Sequence, residues 1–545
     1  MENLSAQHFP LLASRPLRGA VTTLKAPQGL LGKEKLCWVD EGRVYLDGED
    51  VTGPLVLSPG EKQLVSMGAY LLLFPDKLYL NTHEPSDCGS LEASFRYEGE
   101  LSLSLCRADG ESYDAPILSD TEPESPVNGM LWMDTSQSVH SLRQYSSAAA
   151  LWVTLSSTYV RLTAPGLGRD FAAGDAVELS GLAGTDELAG LNGWKILSLV
   201  GEDFIVFPGL LDQGYGQSLR FSLRRPVPDM DFVVEAENRL WGCRYGSQNG
   251  ESVNEIYGCA LGDFRNWNRF QGLADDSYRV SLGSDGPFTG AVSYLGNPLF
   301  FKENSLHKLY IAASGAHRLV DSACRGVEEG CHKSLAVAGE KLFYKSPDAV
   351  CLYDGSLPRS VSRALGSGEL TDARAGALGE CYYLSLRDED GAFQLLVYDS
   401  ARALWHREDG TKALCFAPFD GDLYFIDEES GELKTVTGSR GEVEKSLFWQ
   451  ADSGLMGYEE PDQKYVSRLL LRLKLPVGGE ADAFIQYDSD GHWHHAGHIS
   501  GQGTRSFLLP LRPRRCDHFR LRLQGRGELR LYSMARIYEG GGDEP

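Results

Sequence analysis

A pair of β-rich runs joined by a polar turn recurs along this chain, and its spacing constrains the fold more than any other feature. The clearest copy spans 238–270. There Asn238-Arg-Leu-Trp-Gly-Cys-Arg-Tyr-Gly places Leu240, Gly242 and Arg244 on one strand face and Trp241, Cys243 and Tyr245 on the other. A polar Gly-Ser-Gln-Asn-Gly-Glu-Ser-Val-Asn segment leads into Ile256-Tyr-Gly-Cys-Ala-Leu261, so the two runs predict a hairpin. Similar units occupy 35–47, 63–80, 291–311, 333–355, 380–399 and 413–427. Units start about every 40 to 50 residues, the spacing of four-stranded propeller blades. One unit cannot bury both faces of its own sheet, whereas stacked units can. The pattern predicts an all-β fold class: a single β-propeller of about seven blades, assembled from segments on both sides of an interruption.

The interruption follows the second unit. Residues 84–130 are rich in Ser, Asp, Glu and Pro and predict an excursion away from the propeller. Short strands at 153–162, 176–179, 194–200 and 204–207, separated by glycine-rich turns, predict an inserted small β-barrel over 150–222. Near the other end, Ser467-Arg-Leu-Leu-Leu-Arg-Leu-Lys-Leu475 sets Leu469, Leu471, Leu473 and Leu475 on one face and Arg468, Arg472 and Lys474 opposite. Residues 519–523 and 529–531 repeat this alternation, which predicts an antiparallel β-sandwich with a basic outer face. The chain thus divides into N-terminal blades and an irregular excursion (1–149), the barrel (150–222), the remaining blades (223–446), the sandwich (447–537) and a flexible acidic tail (538–545). Residues 1–20 read as irregular. Barrel and sandwich each carry their own alternation and turns, so deletion of 150–222 is expected to leave a soluble, folded protein.

Charge is unevenly distributed. The chain carries 52 Lys and Arg against 76 Asp and Glu, a net charge of −24. Residues 464–536 hold 13 Lys and Arg against 6 Asp and Glu, while residues 1–463 carry an acidic excess of 28. Such a surface repels nucleic acid on average. The 11 cysteines are scattered singly with no C-x-x-C, and several sit in apolar strand runs, which suggests assembly in a reducing cytoplasm. The start has no basic region followed by an apolar run, and Tyr70-Leu-Leu-Leu-Phe74 is far too short to span a bilayer, so no signal peptide or membrane anchor is expected.

No motif for chemistry stands out. The sequence has no P-loop, no G-x-G-x-x-G, no G-x-S-x-G and no H-E-x-x-H. His492, His494, His495 and His498 form the best metal candidate, but their spacing suits a solvated loop better than a zinc site, and Asp488-Ser-Asp-Gly beside them reads as a hairpin turn. Asp275 with Asp276, and Asp388, Glu389 and Asp390, sit in glycine-adjacent turns; a glycosidase needs two carboxylates facing across a cleft. Trp241, Tyr257, Phe264, Trp267 and Phe270 could stack on sugars, yet at blade spacing they read as inter-blade core. The expectation is therefore no catalytic residues, no cofactor and no metal, with a carbohydrate-binding or glycoside-cleaving propeller as the alternative.

Several stretches are distinctive in wording: Asn238-Arg-Leu-Trp-Gly-Cys, Ile256-Tyr-Gly-Cys-Ala-Leu-Gly-Asp-Phe-Arg-Asn-Trp-Asn, Gly286-Pro-Phe-Thr-Gly-Ala-Val, Phe301-Lys-Glu-Asn and Arg514-Arg-Cys-Asp-His518. They resemble a protein encoded in structural gene cassettes of tailed phages and prophages of Gram-positive bacteria. The 150–222 barrel resembles small barrels inserted in phage tail proteins. The domain order is similar to that of the nozzle proteins of short-tailed phages, also called packaged-DNA stabilisation proteins. This resemblance implies a virion tail protein, made in the host cytoplasm and forming a homo-oligomeric ring, a hexamer, beneath the portal and adaptor. The ring extends the DNA channel and helps retain and eject the genome. Duplex DNA would pass without specific binding along an acidic lumen, because a basic one would hold phosphates. The basic sandwich face would then meet acidic subunits or neighbouring tail proteins through Arg468, Arg472, Arg520, Arg522 and Arg530.

Overall fold

Seven β-sheets stand around one cavity, and the innermost strand of each lines it or abuts it. The computed structural model describes every residue except 249, 458–462, 512–513 and 541–545. The seven sheets are propeller blades at 27–50, 63–90, 232–281, 290–323, 336–360, 371–407 and 413–435. Their innermost strands are Pro27–Gly32, Gln63–Met67, Phe232–Ala236, Gly290–Tyr294, Ala336–Ala338, Thr371–Leu378 and Ala413–Phe419. The chain is all-β, a β-propeller carrying an inserted barrel and a C-terminal sandwich; its one α-helix among the described residues is Asp186–Gly190.

The blade strands form where the alternation places them. Trp241 faces Gly258 and Cys243 faces Ile256 across the hairpin of the third blade. Both faces of that strand are buried: Leu240 packs toward the second blade beside Val65 and Leu72, and Trp241 toward the fourth beside Phe288 and Phe300. Double burial explains why blade interiors read as continuous apolar runs. In the first blade the Glu41-Gly42 turn joins Asp40 to Arg43 with φ of 50° and 73°, the mirror-image turn whose twist matches that of the strands.

The ring closes with borrowed chain. In the seventh blade three C-terminal strands are followed outward by Gly19–Thr23, which pairs antiparallel with Glu432–Thr435. A Cβ on Gly19 would collide with the Arg440 carbonyl, so the close crossing there requires glycine. First and last blades are thereby stitched together, and an open sheet edge is removed.

The N-terminus also completes the sandwich. Leu4–Ser5 and Leu12–Ser14 extend the sheet of Arg530–Gly540, Lys464–Leu475 and Gly503–Pro510. The facing sheet comprises Phe448–Asp452, Phe519–Arg526, Glu480–Tyr487 and His494–Ser500. Leu469, Leu471, Leu473 and Leu475 fill the space between them with Leu4, Trp449 and Phe519. Each such buried side chain is worth about 1.5–3 kcal/mol. Residues 1–20 are therefore not irregular: short strands there find partners more than 400 residues away. A sandwich cut at 447–537 lacks two strands. Most of the acidic tail lies outside the described residues, while strand Arg530–Gly540 runs past the expected boundary at 537.

A buried ionic cluster ties the N-terminal segment to the end of the sixth blade and to the segment that leads into the sandwich. Arg18 donates to Glu408 at 2.7 Å, to Asp409 at 2.8 Å and to Thr411 at 3.0 Å, while Arg15 pairs with Glu444 at 2.8 Å. Arg15, Arg18 and Glu408 are nearly inaccessible to solvent. Arg18 thus bridges Glu408 and Asp409 and Arg15 forks onto the partly exposed Glu444, pairings that offset the cost of burying Glu408.

The insertion differs from its sequence-based boundaries. It spans 93–225, entering and leaving the propeller at the adjacent pair Ala93 and Arg225. Ala93–Cys106 is a central barrel strand, pairing with Tyr215–Arg225 and Tyr159–Thr163. The seven-stranded sheet rolls around Leu103, Val160, Leu162, Val177, Ile205 and Leu223. Residues 151–154, assigned to the barrel from sequence, belong instead to a separate four-stranded sheet with Ile117–Ser119, Leu131–Asp134 and Ser141–Ser146. The insertion is anchored at its root by Asn266, which donates to Asp175 at 3.1 Å and accepts the Ala176 N–H at 2.8 Å. Arg225 pairs with the same Asp175.

Candidate functional site

The propeller cavity and the outer faces of the sandwich are both open to a ligand or partner. The cavity is about 540 Å³, enough for a small molecule and no conduit for a duplex. Its wall is mostly apolar, with Leu30, Leu64, Phe232, Val292, Leu335 and Phe416. One polar bridge crosses it: Glu61, before the second blade, meets Lys333 at 3.1 Å and His332 at 3.4 Å, before the fifth. The His332 hydrogen bond and the Lys333 charge, outweighing burial, lower the Glu61 carboxyl to about 2. Asp231 on the rim is held by Arg244 at 2.6 Å and the Tyr245 N–H at 2.8 Å. Each of these two carboxylates is tied to a cation, so they do not supply the free acid and opposed base that glycoside cleavage uses.

Glu61 gives a pH prediction. Its folded pKa lies below the ordinary carboxylate value of 4.5. The bridge therefore stabilises the fold above that value, and the contribution is lost as pH falls through about 2. Glu61→Gln is expected to flatten stability across this window relative to wild type, read as thermal midpoints at stepped pH. An unchanged pH slope would show that the bridge does not form.

The five arginines expected at contacts do not share one face. Arg468, Arg472 and Arg530 lie on the outer face of the Lys464–Leu475 sheet, with Lys474. Arg520 and Arg522 lie on the opposite sheet. Arg522 is occupied: it forks onto Asp452 at 2.8 and 2.7 Å and covers Trp493. Arg520 donates to the Ser453 carbonyl at 3.3 Å. Reversal of Arg520 and Arg522 would therefore break an intramolecular pair, so it does not separate assembly from folding.

The other face differs. Lys474 and Arg530 stand directly opposite each other across the strand pair. Like charges in that position destabilise a sheet. Leu470, Leu508, Tyr532 and Ile537 are exposed on this same sheet, by 38 %, 52 %, 40 % and 44 %. Among the described residues Arg514 and Arg522 make ion pairs within the sandwich, and Arg468, Arg472, Lys474 and Arg530 make none.

The remaining candidates are placed as follows. His495 and His498 both contact Asp482 at 3.0 Å, and His494 contacts Arg514 at 3.3 Å. Among the described residues no three His, Cys, Asp or Glu side chains converge in a metal-binding arrangement. Asp488 and Ser489 form the expected tight turn with φ of 48° and 54°. Asp276 caps the loop N–H groups of Gly272 and Leu273, at 2.7 and 3.0 Å, and Asp388 accepts from Asp390 and Ala392 within its turn. Trp241, Tyr257, Phe264 and Trp267 are inter-blade core; Phe270 is exposed. All eleven cysteines are free thiols, and burial pushes Cys37 and Cys259 up to about 12, far from reactivity at neutral pH.

One arrangement has no local sequence signature. His307 Nδ1 meets Asp321 at 2.6 Å, and its Nε2 lies 3.2 Å from both Ser284 and Ser305. The order matches a nucleophile, base and orienting acid. His307 is fully buried beneath Phe288, however, so the network fastens the linker before the fourth blade to the blade itself.

The chain matches no protein-family profile and no curated protein sequence. Among solved structures, the WD40 repeats of RRP9 align with a TM-score of 0.34 and 6 % identity, covering 78 % of this chain and 98 % of that one. An exo-β-1,3-galactanase from Phanerochaete chrysosporium, solved with galactose, gives a TM-score of 0.22 and 6 % identity over 55 % of this chain and 95 % of that one. A GH43 glycoside hydrolase gives 0.20 and 9 % over 56 % and 97 %. Likeness this remote extends to strands arranged as a propeller and carries no argument about activity.

Proposed function

We propose that this chain is a non-enzymatic structural protein of a phage virion, a tail nozzle subunit that forms a ring below the portal and adaptor. Such a ring extends the DNA channel and helps retain and eject the genome. The observation behind the assembly role is the outer face of the Lys464–Leu475 sheet. There Lys474 opposes Arg530, with Arg468 and Arg472 on the same strand and exposed Leu470 and Leu508 between strands. Its charge repels itself in the isolated chain, and an acidic surface laid over it would relieve that repulsion. The acidic excess of 28 in residues 1–463 supplies such a surface on another copy, and the phage-like wording of 238–304 supports the virion setting.

Negative-stain imaging of the purified protein is expected to show rings. Arg468→Glu with Arg472→Glu is expected to weaken ring formation about tenfold, the order of one misplaced charge pair, and leave the monomer's melting unchanged. Added salt should weaken the wild-type rings through the same contact. Duplex DNA is expected to bind weakly or not at all at physiological salt. A wild-type protein that stays monomeric, or one that turns over a glycan, would overturn the reading.

A further inference from the structure

The four-stranded sheet at 117–154 is a small outlying element with two open edges. Its order runs Ile117–Ser119, Leu131–Asp134, Ser141–Ser146, Leu151–Thr154, so the first and last strands each have a sheet neighbour on one side only. Both edges expose large apolar side chains: Ile117 by 42 % and Leu118 by 50 % at one, Leu151 by 49 % and Val153 by 45 % at the other. Natural proteins guard such edges with charge, proline or a covering loop, because a bare apolar edge templates pairing with another strand. The Leu151–Thr154 edge carries no such guard, while Pro116 and Asp120 stand only at the two ends of the Ile117–Ser119 edge. The run from Gln144 to Val160 contains no Asp, Glu, Lys or Arg, and it is the longest such run in the chain.

We infer that the Leu151–Thr154 edge of one copy pairs with the Ile117–Ser119 edge of the next, joining the small sheets head to tail. The inference rests on the ring reading above and names the junction that would close the ring. Three features select a second copy as the occupant. The Leu151–Thr154 edge lies in the longest uncharged run of a chain of net charge −24, so it escapes the general repulsion between copies that the basic sandwich face overcomes by attraction. Both edges belong to one sheet, so their twist matches at a junction. One kind of junction covers both edges on every copy, whereas self-pairing of Leu151–Thr154 would leave Ile117 and Leu118 bare. A heterologous contact of this type produces a ring when its rotation closes.

The test uses full-length protein and light scattering after size exclusion. Leu151→Lys with Val153→Lys blocks one edge; Ile117→Lys with Leu118→Lys blocks the other. The expected result is a multimeric wild type, two monomeric variants with unchanged circular dichroism, and a one-to-one heterodimer when the variants are mixed. Mixing restores a single junction, because each variant keeps the edge the other lacks. Should a double variant misfold, Val153→Lys and Leu118→Lys alone at these half-exposed positions give the same reading. Wild-type multimers that survive the lysines overturn the junction and leave the ring reading standing. Dimers retained by one variant alone point to self-pairing and also overturn it. A monomeric wild type overturns both.

Discussion

Excision of residues 93–225, with Glu92 joined to Pro226 by a short glycine linker, is expected to leave a soluble protein that still melts cooperatively. Removal of 150–222 alone is expected to give an aggregated or protease-sensitive product. The difference lies in strand pairing. Ala93 and Arg225 are cross-strand partners, so their Cα atoms lie about 5 Å apart and a few glycines span the gap. The neighbouring core of Leu91, Val227 and Trp267 stays intact, and the second and third blades still pack through Val65 and Val233. Asn266 loses Asp175 and Ala176, but its loss leaves it facing water. Cutting at 150–222 instead strips Ala93–Cys106 of both strand neighbours and exposes Leu101, Leu103 and Leu105. Three buried leucines brought into water cost about 5–9 kcal/mol, comparable to the stability of a whole domain. Solubility and a single melting transition measure the outcome. A folded product from the shorter deletion would show that the barrel closes without its central strand.

How much was legible in the sequence depends on where each partner strand lies. The third blade could be read locally, because Trp241 and Gly258 sit on one hairpin and the turn between them is polar. The leucine alternation from Leu469 to Leu475 likewise reveals a half-buried strand without knowledge of its neighbours. Ala93–Cys106 carries a comparable alternation in Phe95, Tyr97, Leu101, Leu103 and Leu105, yet its partners lie some 60 to 130 residues on, across the excursion. Periodicity identifies a strand face and says nothing of which strand comes to pair with it. Leu4–Ser5, Leu12–Ser14 and Gly19–Thr23 are still harder, being too short for any period, and the last two pair with chain more than 400 residues later.

The candidate contact face shows the same limit. Alternation marks Arg468 and Arg472 as outward, and the structure places them so. It also marks Arg520 and Arg522 as outward from their own strand, but cannot say that this strand lies in the other sheet or that Asp452 stands beside it. The opposition of Lys474 to Arg530 depends on register, and a bulge between Arg472 and Leu473 sets that register. A charge conflict written by register is invisible until the strands are paired.

Arg18→Met is expected to destabilise the protein by about 3–5 kcal/mol, the cost of stranding a buried charge. Arg18 immediately precedes the strand that closes the propeller, and its guanidinium spans Glu408 and Asp409 at the end of the sixth blade. Methionine fills the space but leaves both carboxylates without that cation; Arg15 remains only at 4.0 and 3.9 Å from them. Burial already raises the Glu408 carboxyl against the pull of the arginines, so in the variant it is expected to rise further. Asp409 and Glu444 behave oppositely in the wild type: burial opposes their ionisation, but the arginines and nearby hydrogen bonds win and hold both below the usual carboxylate range. Groups depressed in the folded state stabilise it above the ordinary carboxylate values, and that contribution is lost as pH falls. Arg18→Met should therefore lower the urea midpoint most at neutral pH and least in acid. Adding Glu408→Gln should recover part of the loss, because the stranded charge is removed with its partner. Hydrogen exchange locates the damage: protection should fall first in Gly19–Thr23 and Glu432–Thr435, where the ring is latched. An Arg18→Met protein as stable as wild type, with those amides still protected, would mean that strand pairing alone holds the propeller shut.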